Sequence, residues 1–294
     1  MPLTIPSLTF KKTTIRYGDK LLEVNKPWVF GILNVTPDSF YADSRTFSDN
    51  DIEQKIKQLV RAGVSAIDVG AYSSRPDAEH ISEEEEHNRL VRVFKLLKEL
   101  ASDIPVSVDT FRASIVRKIY NEFGAFIVND ISGGEMDRDM FSTVAELKLP
   151  YIMMHMLGTP QTMQNNPQYT DVVSAVVGYF TAKIAELRQL GVNDIILDPG
   201  FGFGKTLDHN YELLQRLEEL HVLGLPIFVG VSRKSMLYKL LGTTPADTLN
   251  ATTVVNTISL MKGAAFLRVH DIAEAKEAVK IFLKMKEFEK TNDI

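Results

Sequence analysis

The chain has 294 residues, of which 45% are hydrophobic and 24% are charged, and this composition allows a large buried core. The net charge of -5 argues against general nucleic-acid binding, and the absence of cysteine excludes disulfides and thiolate metal sites. The N-terminus lacks the pattern of a signal peptide, and no apolar run approaches the ~20 residues of a membrane span. We therefore expect a cytoplasmic protein that binds neither nucleic acid nor membranes.

The predicted elements begin with a β-hairpin over residues 8–25, in which Gly18 and Asp19 supply the turn. Eight apolar strands follow, each succeeded by a helical pattern, and they cover residues 29–33, 65–69, 106–108, 125–128, 151–154, 195–197, 227–231 and 265–269. This alternation predicts the α/β class, a single (β/α)8 TIM barrel with an N-terminal β-hairpin, with an open doubly wound sheet as the alternative. The expected domains are a hairpin extension over 1–27 and a barrel over 28–290.

A turn with three alternate glycines follows the sixth strand, in the sequence Asp198-Pro-Gly-Phe-Gly-Phe-Gly-Lys205. Glycine adopts backbone angles closed to other residues and lets a ligand approach the main chain. The turn is not a P-loop, because Pro199 replaces the first required glycine, and its glycine spacing is not that of a dinucleotide site. We predict a glycine-floored recess that faces the Asp198 carboxylate, with Lys205 solvated at its rim.

Polar groups stand at the end of every predicted strand, which is where the active site of a TIM barrel is located. They are Asn34, Asp68, Asp109, Asn129-Asp130, His155, Asp198, Ser232-Arg233-Lys234 and Arg268-Val269-His270. Any one of these residues is explained equally well by solvation or by capping of the next helix. The recurrence at all eight ends favours a functional site.

The acceptors in this set suit a flat, nitrogen-rich ring. Asp198, Asp109 and Asn129 offer carboxylates and an amide, and a carboxylate accepts two parallel hydrogen bonds from an N–C–NH2 edge. The absence of an HExxH motif and of a His/Cys cluster argues against zinc, and the absence of GxSxG argues against a serine hydrolase.

The donors in the same set suit an anion such as phosphate. They come from Arg75, Ser232, Lys234, Arg268 and His270. Asn34 adds a hard oxygen of the kind that suits Mg2+ held mainly by phosphate and water. The residues therefore predict a flat heterocycle and a phosphate ester bound together in one barrel mouth.

The sequence resembles the dihydropteroate synthases, folate-pathway enzymes of the pterin-binding barrel family. The matching stretches are Gly31–Phe40, Asp68–Gly70, Ser73–Pro76, Ser107–Thr110, Val128–Gly134, Met154–Tyr169, Asp198–Lys205, Gly230–Ser235 and Arg268–Asp271. The resemblance implies condensation of (7,8-dihydropterin-6-yl)methyl diphosphate with 4-aminobenzoate, by a dissociative mechanism in which diphosphate leaves first. It also implies Mg2+ as cofactor, a homodimer, and a pocket that sulfonamides can enter.

The resemblance further implies a role for individual residues. The expected catalytic residues are Asp109, Lys234, Arg268 and His270, and the expected Mg2+ ligand is Asn34. The expected substrate-binding residues are Ser74, Arg75, Pro76, Asp109, Asn129, Met154, Asp198, Phe203, Gly230, Ser232, Lys234, Arg268 and His270. Within this set Asp198 and Asn129 grip the pterin edge, while Phe203 and Pro76 line the aminobenzoate side.

Two loops depart from the family pattern. The aspartate of the first loop comes one residue late, as Asp43, and Tyr72 and Asp77 alter the edge of the second loop. Two alternative functions remain at this point: a methyltetrahydrofolate:corrinoid methyltransferase, which shares the pterin barrel, and an inactive homologue that only binds.

Overall fold

The protein is an eight-stranded parallel barrel surrounded by helices, with a two-stranded antiparallel hairpin before it. The computed structural model describes residues 10–36, 48–73, 80–163 and 166–289. The hairpin strands are β1 (Thr13–Tyr17) and β2 (Lys20–Val24). The barrel strands are β3 (Trp28–Asn34), β4 (Ala66–Gly70), β5 (Val106–Asp109), β6 (Ile127–Asp130), β7 (Tyr151–Met154), β8 (Ile195–Asp198), β9 (Phe228–Val229) and β10 (Phe266–Val269).

The sheet closes on itself, so the alternative of an open doubly wound sheet is wrong. Its strands are hydrogen-bonded in the order β8-β7-β6-β5-β4-β3-β10-β9, and a parallel bridge between Leu197 and Ile227 joins the two ends. The predicted barrel and hairpin are confirmed. Several strand ends differ from prediction by one residue, and two strands differ by more: β6 starts and ends two residues later than expected, and β9 keeps only Phe228 and Val229 in its ladder.

Helices follow the strands along the chain. They are α1 (Asp49–Ala62), α2 (Glu83–Leu100), α3 (Ala113–Phe123), α4 (Met140–Leu147), α5 (Val172–Gln189), α6 (Leu207–Gln215), α7 (Ser235–Leu241), α8 (Leu249–Met261) and α9 (Ile272–Glu289). The side chain of Ser82 caps α2 by accepting from the backbone N–H of Glu85. No helix in the described part of the chain is long and apolar enough to cross a membrane.

Side-chain alternation divides the core into two layers. Outward residues of the strands pack against the helices. Inward residues fill the lower barrel with aromatic and aliphatic groups, and the hairpin adds Ile15 and Val24 to the same cluster. The hydroxyl of Tyr17 also accepts from the backbone N–H of Val106 at 3.1 Å. The hairpin therefore covers the bottom of the barrel and leaves the carboxyl ends of the strands as the mouth.

Candidate active site

The same alternation that fills the lower barrel with apolar groups places polar groups inward at its top. Ala66 and Asp68 share the inward face of β4, and Ile196 and Asp198 share that of β8. The other inward polar residues near the strand ends are Asn34, Ser107, Asp109, Asn129 and Arg268. The register of the parallel ladder aligns these positions, so they meet in one layer.

Asp68 is the centre of a hydrogen-bonded network in this layer. Its carboxylate is fully buried and accepts from the Ser107 hydroxyl at 2.5 Å, the Asn129 amide at 3.0 Å and Arg268 Nε at 2.6 Å. Arg268 Nη2 also donates to Asp109 at 3.1 Å. Because the Asn129 amide nitrogen is used by Asp68, its carbonyl oxygen is left to accept from a ligand.

The charges of this network perturb one another. Burial raises the pKa of Asp109 to about 7, against the opposing effect of Arg268. Burial opposes the charge of Arg268, but Asp68 and Asp109 outweigh it and raise the pKa of the guanidinium. The mouth therefore holds a fixed cation and a carboxylate whose protonation changes near neutral pH, a combination typical of catalytic sites.

Asp198 ends β8 with its carboxylate oriented by the backbone. Oδ1 accepts from the Gly200 N–H at 2.8 Å, and the residue is 5% exposed. Burial raises its pKa, and Lys234 opposes that effect. Among the described residues no other hydrogen bond to this carboxylate is present, so Oδ2 is available to a ligand.

Lys234 enters the mouth opposite the glycine turn. Its ammonium donates to the Phe201 carbonyl at 2.6 Å and lies 4.6 Å from the centre of the Phe203 ring. Burial lowers its pKa to about 8, with Asp198 opposing. A Cβ at residue 230 would lie 3.9 Å from Lys234 Nζ and 3.8 Å from Arg268 Cβ. Gly230 thus leaves room between the two cationic side chains.

Lys205 is not at the rim, and the prediction that it is solvated is wrong. The residue is only 3% exposed, and its side chain folds back beneath the turn towards His155. Its burial follows from three glycines with positive φ, Gly200, Gly202 and Gly204, which reverse the chain after β8. Burial lowers the pKa of Lys205 to about 7.

His270 and Ser232 form a pair at the edge of the mouth. The Ser232 hydroxyl oxygen accepts from the His270 backbone N–H at 3.2 Å and lies 3.1 Å from ring Nδ1. A hydroxyl that accepts from the backbone has its proton free for Nδ1, which leaves Nε2–H directed away from Ser232. Burial and the charge of Arg268 lower the pKa of the His270 ring. His270 is therefore suited to bind an anion as a neutral donor.

Asn34 ends β3 and Met154 ends β7, on opposite sides of the mouth. A Cβ at Gly70 would lie 2.7 Å from Asn34 Oδ1, so this glycine accommodates the amide at the end of β3. No cluster of three His, Cys, Asp or Glu that could hold a metal exists within the described ranges. Among the described residues, Asn34 therefore fits an ion that takes most of its ligands from substrate and water. Met154 packs with Met156, Met163 and Phe203 in a small apolar cluster apart from the main core.

Several residues named in the sequence analysis are not among the side chains of the mouth described above. Ser74, Arg75 and Pro76 fall outside the described residues, as do Asp43 and Asp77. Of the strand-end residues, Asp130 accepts from the Tyr151 hydroxyl at 2.7 Å within the outer layer, and Arg233 pairs with Asp271 at 2.8 Å. Neither joins the network in the mouth.

The sequence prediction placed Asp68 at a strand end but gave it no role in the site, and it placed Lys205 at the rim. Asp68 had a signal: a carboxylate with the same parity as the inward Ala66 needs a buried partner. For Lys205 the sequence carried no equivalent sign, since a lysine before a helix is usually solvated.

Comparisons with known proteins show which proteins have a similar sequence and fold. The family of pterin binding enzymes matches residues 30–270. The dihydropteroate synthase of Escherichia coli K12 is 41% identical over 262 residues, which cover 88% of this chain and 92% of the relative. The dihydropteroate synthase of Synechocystis is 39% identical and covers 94% of both chains.

Solved structures are similar over most of the chain. A crystal structure of the Yersinia pestis dihydropteroate synthase with a sulfonamide drug has a TM-score of 0.85 at 37% identity and covers 94% of this chain and 99% of its own. The Xanthomonas albilineans dihydropteroate synthase with 4-aminobenzoic acid has a TM-score of 0.83 at 31% identity, with the same coverage.

Proposed function

The chain belongs to the pterin-binding enzyme family and has the dihydropteroate synthase activity of its relatives, and from that premise we propose how its residues divide the reaction. The reaction joins (7,8-dihydropterin-6-yl)methyl diphosphate to 4-aminobenzoate and releases pyrophosphate. The single observation that supports the assignment of roles is the layer of inward polar groups at the mouth, in which the cations Arg268 and Lys234 lie beside buried acceptors.

The pterin ring is assigned to the deep part of this layer. Asp198 accepts from the N–C–NH2 edge, and the carbonyl oxygen of Asn129 accepts from a second ring donor. Met154 supplies an apolar contact for the ring face. Asp109, on the far side, stabilises positive charge that develops on the ring when the diphosphate leaves. Its pairing with Arg268 favours the ionised state that this role requires.

The diphosphate is assigned to the rim. Arg268 offers its guanidinium, and His270 and Ser232 offer neutral hydrogen-bond donors. Mg2+, with Asn34 as its protein ligand, supplies charge neutralisation of the leaving group when bound. The protein residues bind and orient the diphosphate, so departure of the leaving group needs no covalent bond to the protein.

The aminobenzoate side is assigned to Phe203, Lys234 and the second loop. The Phe203 ring and the Lys234 ammonium already lie together at 4.6 Å, one apolar and one cationic. The relative from Xanthomonas albilineans is solved with 4-aminobenzoic acid. Ser74, Arg75 and Pro76 are proposed to complete this pocket. The aniline nitrogen then attacks the carbocation from this side.

Turnover with the three components tests the proposal. Dihydropteroate and pyrophosphate should form in equal amounts from the pterin diphosphate, 4-aminobenzoate and Mg2+. Omission of 4-aminobenzoate is the control, because pyrophosphate that still forms at the same rate indicates hydrolysis. Absence of dihydropteroate would contradict the activity and favour the inactive homologue. The methyltransferase alternative is set aside, since the relatives are dihydropteroate synthases.

We also propose a homodimer. Large apolar side chains are exposed on the last two helices, including Val254 at 50% on α8, and Ile281 at 60%, Met285 at 50% and Phe288 at 65% on α9. The α9 residues recur at helical spacing and so share one face. Sedimentation of the wild type and of Met285→Glu tests this, since a monomer in both would contradict it. A cytoplasmic location also remains a proposal, and cell fractionation tests it.

A further inference from the structure

Lys205 lies in a cage of acceptors beneath the glycine turn. Its Nζ is 2.9 Å from the Gly200 carbonyl, 3.1 Å from the Phe203 carbonyl and 3.4 Å from the His155 carbonyl, and 3.0 Å from His155 Nδ1. An ammonium has three protons, so this environment satisfies all of its donors. The side chain makes no ion pair within the described residues, although the charge of Asp198 acts on it.

A buried lysine is costly, because desolvation opposes its charge. The same position could hold a methionine if only packing were required. The unfavourable burial of Lys205 therefore indicates that its charge has a structural role. Four acceptors converge on one point under the turn, and a cation there offsets the repulsion among the carbonyl dipoles.

The turn depends on this convergence for its shape. A Cβ at Gly200 would lie 1.9 Å from the His155 carbonyl oxygen, so the turn is pressed directly onto the chain after β7. Gly200 and Phe203 present their carbonyls to Lys205 on the buried side. On the other side, Lys234 binds the carbonyl of Phe201. The backbone on both sides of the turn is thus held by two ammonium groups, and only Lys234 is in the mouth.

The backbone of Asp198 is fixed by contacts outside the turn, although its Oδ1 accepts from the Gly200 N–H within the turn. It belongs to β8, and its carbonyl accepts from the His155 N–H at 3.0 Å. Phe203, in contrast, lies in the middle of the turn, where its carbonyl is bound by Lys205 and its N–H by the Gly200 carbonyl at 3.1 Å. Loss of the ammonium should therefore displace Phe203 far more than Asp198.

We propose that Lys205 is a positioning residue for 4-aminobenzoate: its buried ammonium holds the turn so that the Phe203 ring stays at the aminobenzoate side of the mouth. This inference rests on the proposed function, in which Phe203 lines that pocket. It gives the lysine of the glycine turn a role separate from that of Lys234, which touches the substrates.

The chain allows a matched test because it contains no cysteine. Lys205→Cys is alkylated at its single thiol in denaturant and is then refolded. One sample is treated with 2-bromoethylamine, which gives a side chain of lysine length that ends in an ammonium. A second sample is treated with iodoethane, which gives a neutral ethyl thioether. Lys276→Cys, treated in the same two ways, is the control, because Lys276 is on the barrel wall and, within the described ranges, its Nζ donates to the Ala62 carbonyl at 2.9 Å. Wild type passes through the same refolding.

Calorimetry then measures two ligands, a pterin and 4-aminobenzoate with pyrophosphate present. We expect the ethyl form at position 205 to bind 4-aminobenzoate at least tenfold more weakly than wild type and to bind the pterin within threefold. The aminoethyl form should bind both within threefold of wild type, and both forms at position 276 should be unaffected.

Four results would overturn the proposal. Equal weakening of both ligands by the ethyl form, or folding of the aminoethyl form alone, would make Lys205 a general structural residue. Unchanged 4-aminobenzoate binding in the ethyl form would remove any role for the ammonium. Failure of the wild type itself to bind 4-aminobenzoate would instead contradict the proposed function, and the role of Lys205 with it.

Discussion

Replacement of Asp68 by asparagine tests the network that organises the mouth. The carboxylate receives three donors, from Ser107, Asn129 and Arg268, and is fully buried. In asparagine one of the two oxygens becomes an NH2 group. At the Oδ2 position the NH2 faces Arg268 Nε, and at the Oδ1 position it faces both the Asn129 amide and the Ser107 hydroxyl, of which only the hydroxyl can turn to accept. Either orientation therefore replaces at least one hydrogen bond by a contact between two donors.

The size of the effect follows from burial. Removal of one partner of a buried ion pair costs about 3–5 kcal/mol. Arg268 is 20% exposed at its side chain and keeps Asp109 as a partner, so the loss should lie at or below the lower end of that range. We expect Asp68→Asn to lower the free energy of unfolding by about 2–3 kcal/mol. The affinity for a pterin should also fall, because Asn129 and Arg268 lose their orientation.

Urea denaturation followed by circular dichroism measures the first effect, and calorimetry measures the second. Asp49→Asn is the control: the same chemical change is made on the surface, where Asp49 pairs with Arg92 at 2.7 Å in solvent. That pair is screened by water, so unfolding should barely change. Wild-type stability together with wild-type pterin affinity in Asp68→Asn would refute the reasoning.

Four further results are expected. Lys234→Ala should lower kcat/KM at least about 100-fold, or ~2.7 kcal/mol, while Lys239→Ala on α7 should not, and equal losses would contradict the placement of Lys234. Asp198→Asn should weaken pterin binding by about 2–4 kcal/mol in calorimetry, and affinity within threefold of wild type would reject the contact. The pKa of Asp109 is raised by burial from 3.8 to about 7, so the folded state binds more protons between about pH 4 and 7. The free energy of unfolding of the wild type should therefore fall relative to that of Asp109→Asn as pH rises through that window. A difference between the two proteins that stays constant with pH would contradict the raised pKa of Asp109. Chelation of Mg2+ should weaken binding of the pterin diphosphate at least about tenfold and leave a pterin without phosphate unaffected, and equal loss for both ligands would be incompatible with a metal at the diphosphate.

The barrel could be predicted because strand and helix periods alternate along the whole chain. Parity within a strand then assigns the polar residues correctly: Asp198 shares the inward side of Ile196, and Arg268 shares that of Phe266. The errors occur where local contacts decide the ladder. Ile227 joins β8 only by an isolated bridge, so the predicted five-residue strand contains two ladder residues.

The position of Lys205 could not be predicted for a different reason. A lysine seven residues beyond a strand end has no assigned direction until the chain between them is folded. Three left-handed glycines send that segment back under itself, and the close approach of Gly200 to His155 fixes how far. Nothing local to the lysine signals this burial, because it depends on the chain after β7. The roles of Ser74, Arg75 and Pro76 stay predictions.

The charge balance of the mouth explains why the substrate should bring its own cation. Within the described residues, the carboxylates of Asp68, Asp109 and Asp198 are matched by the cations of Arg268 and Lys234, with Lys205 beneath the turn. Arg268 already pairs with two of the carboxylates, so little positive charge is left over for a diphosphate. Within the same residues the rim adds the neutral donors Ser232 and His270, because the nearby Arg233 is paired with Asp271. An anion with several charges therefore binds well only if part of its charge is neutralised in advance, and the single hard oxygen of Asn34 suits an ion that arrives with the phosphate.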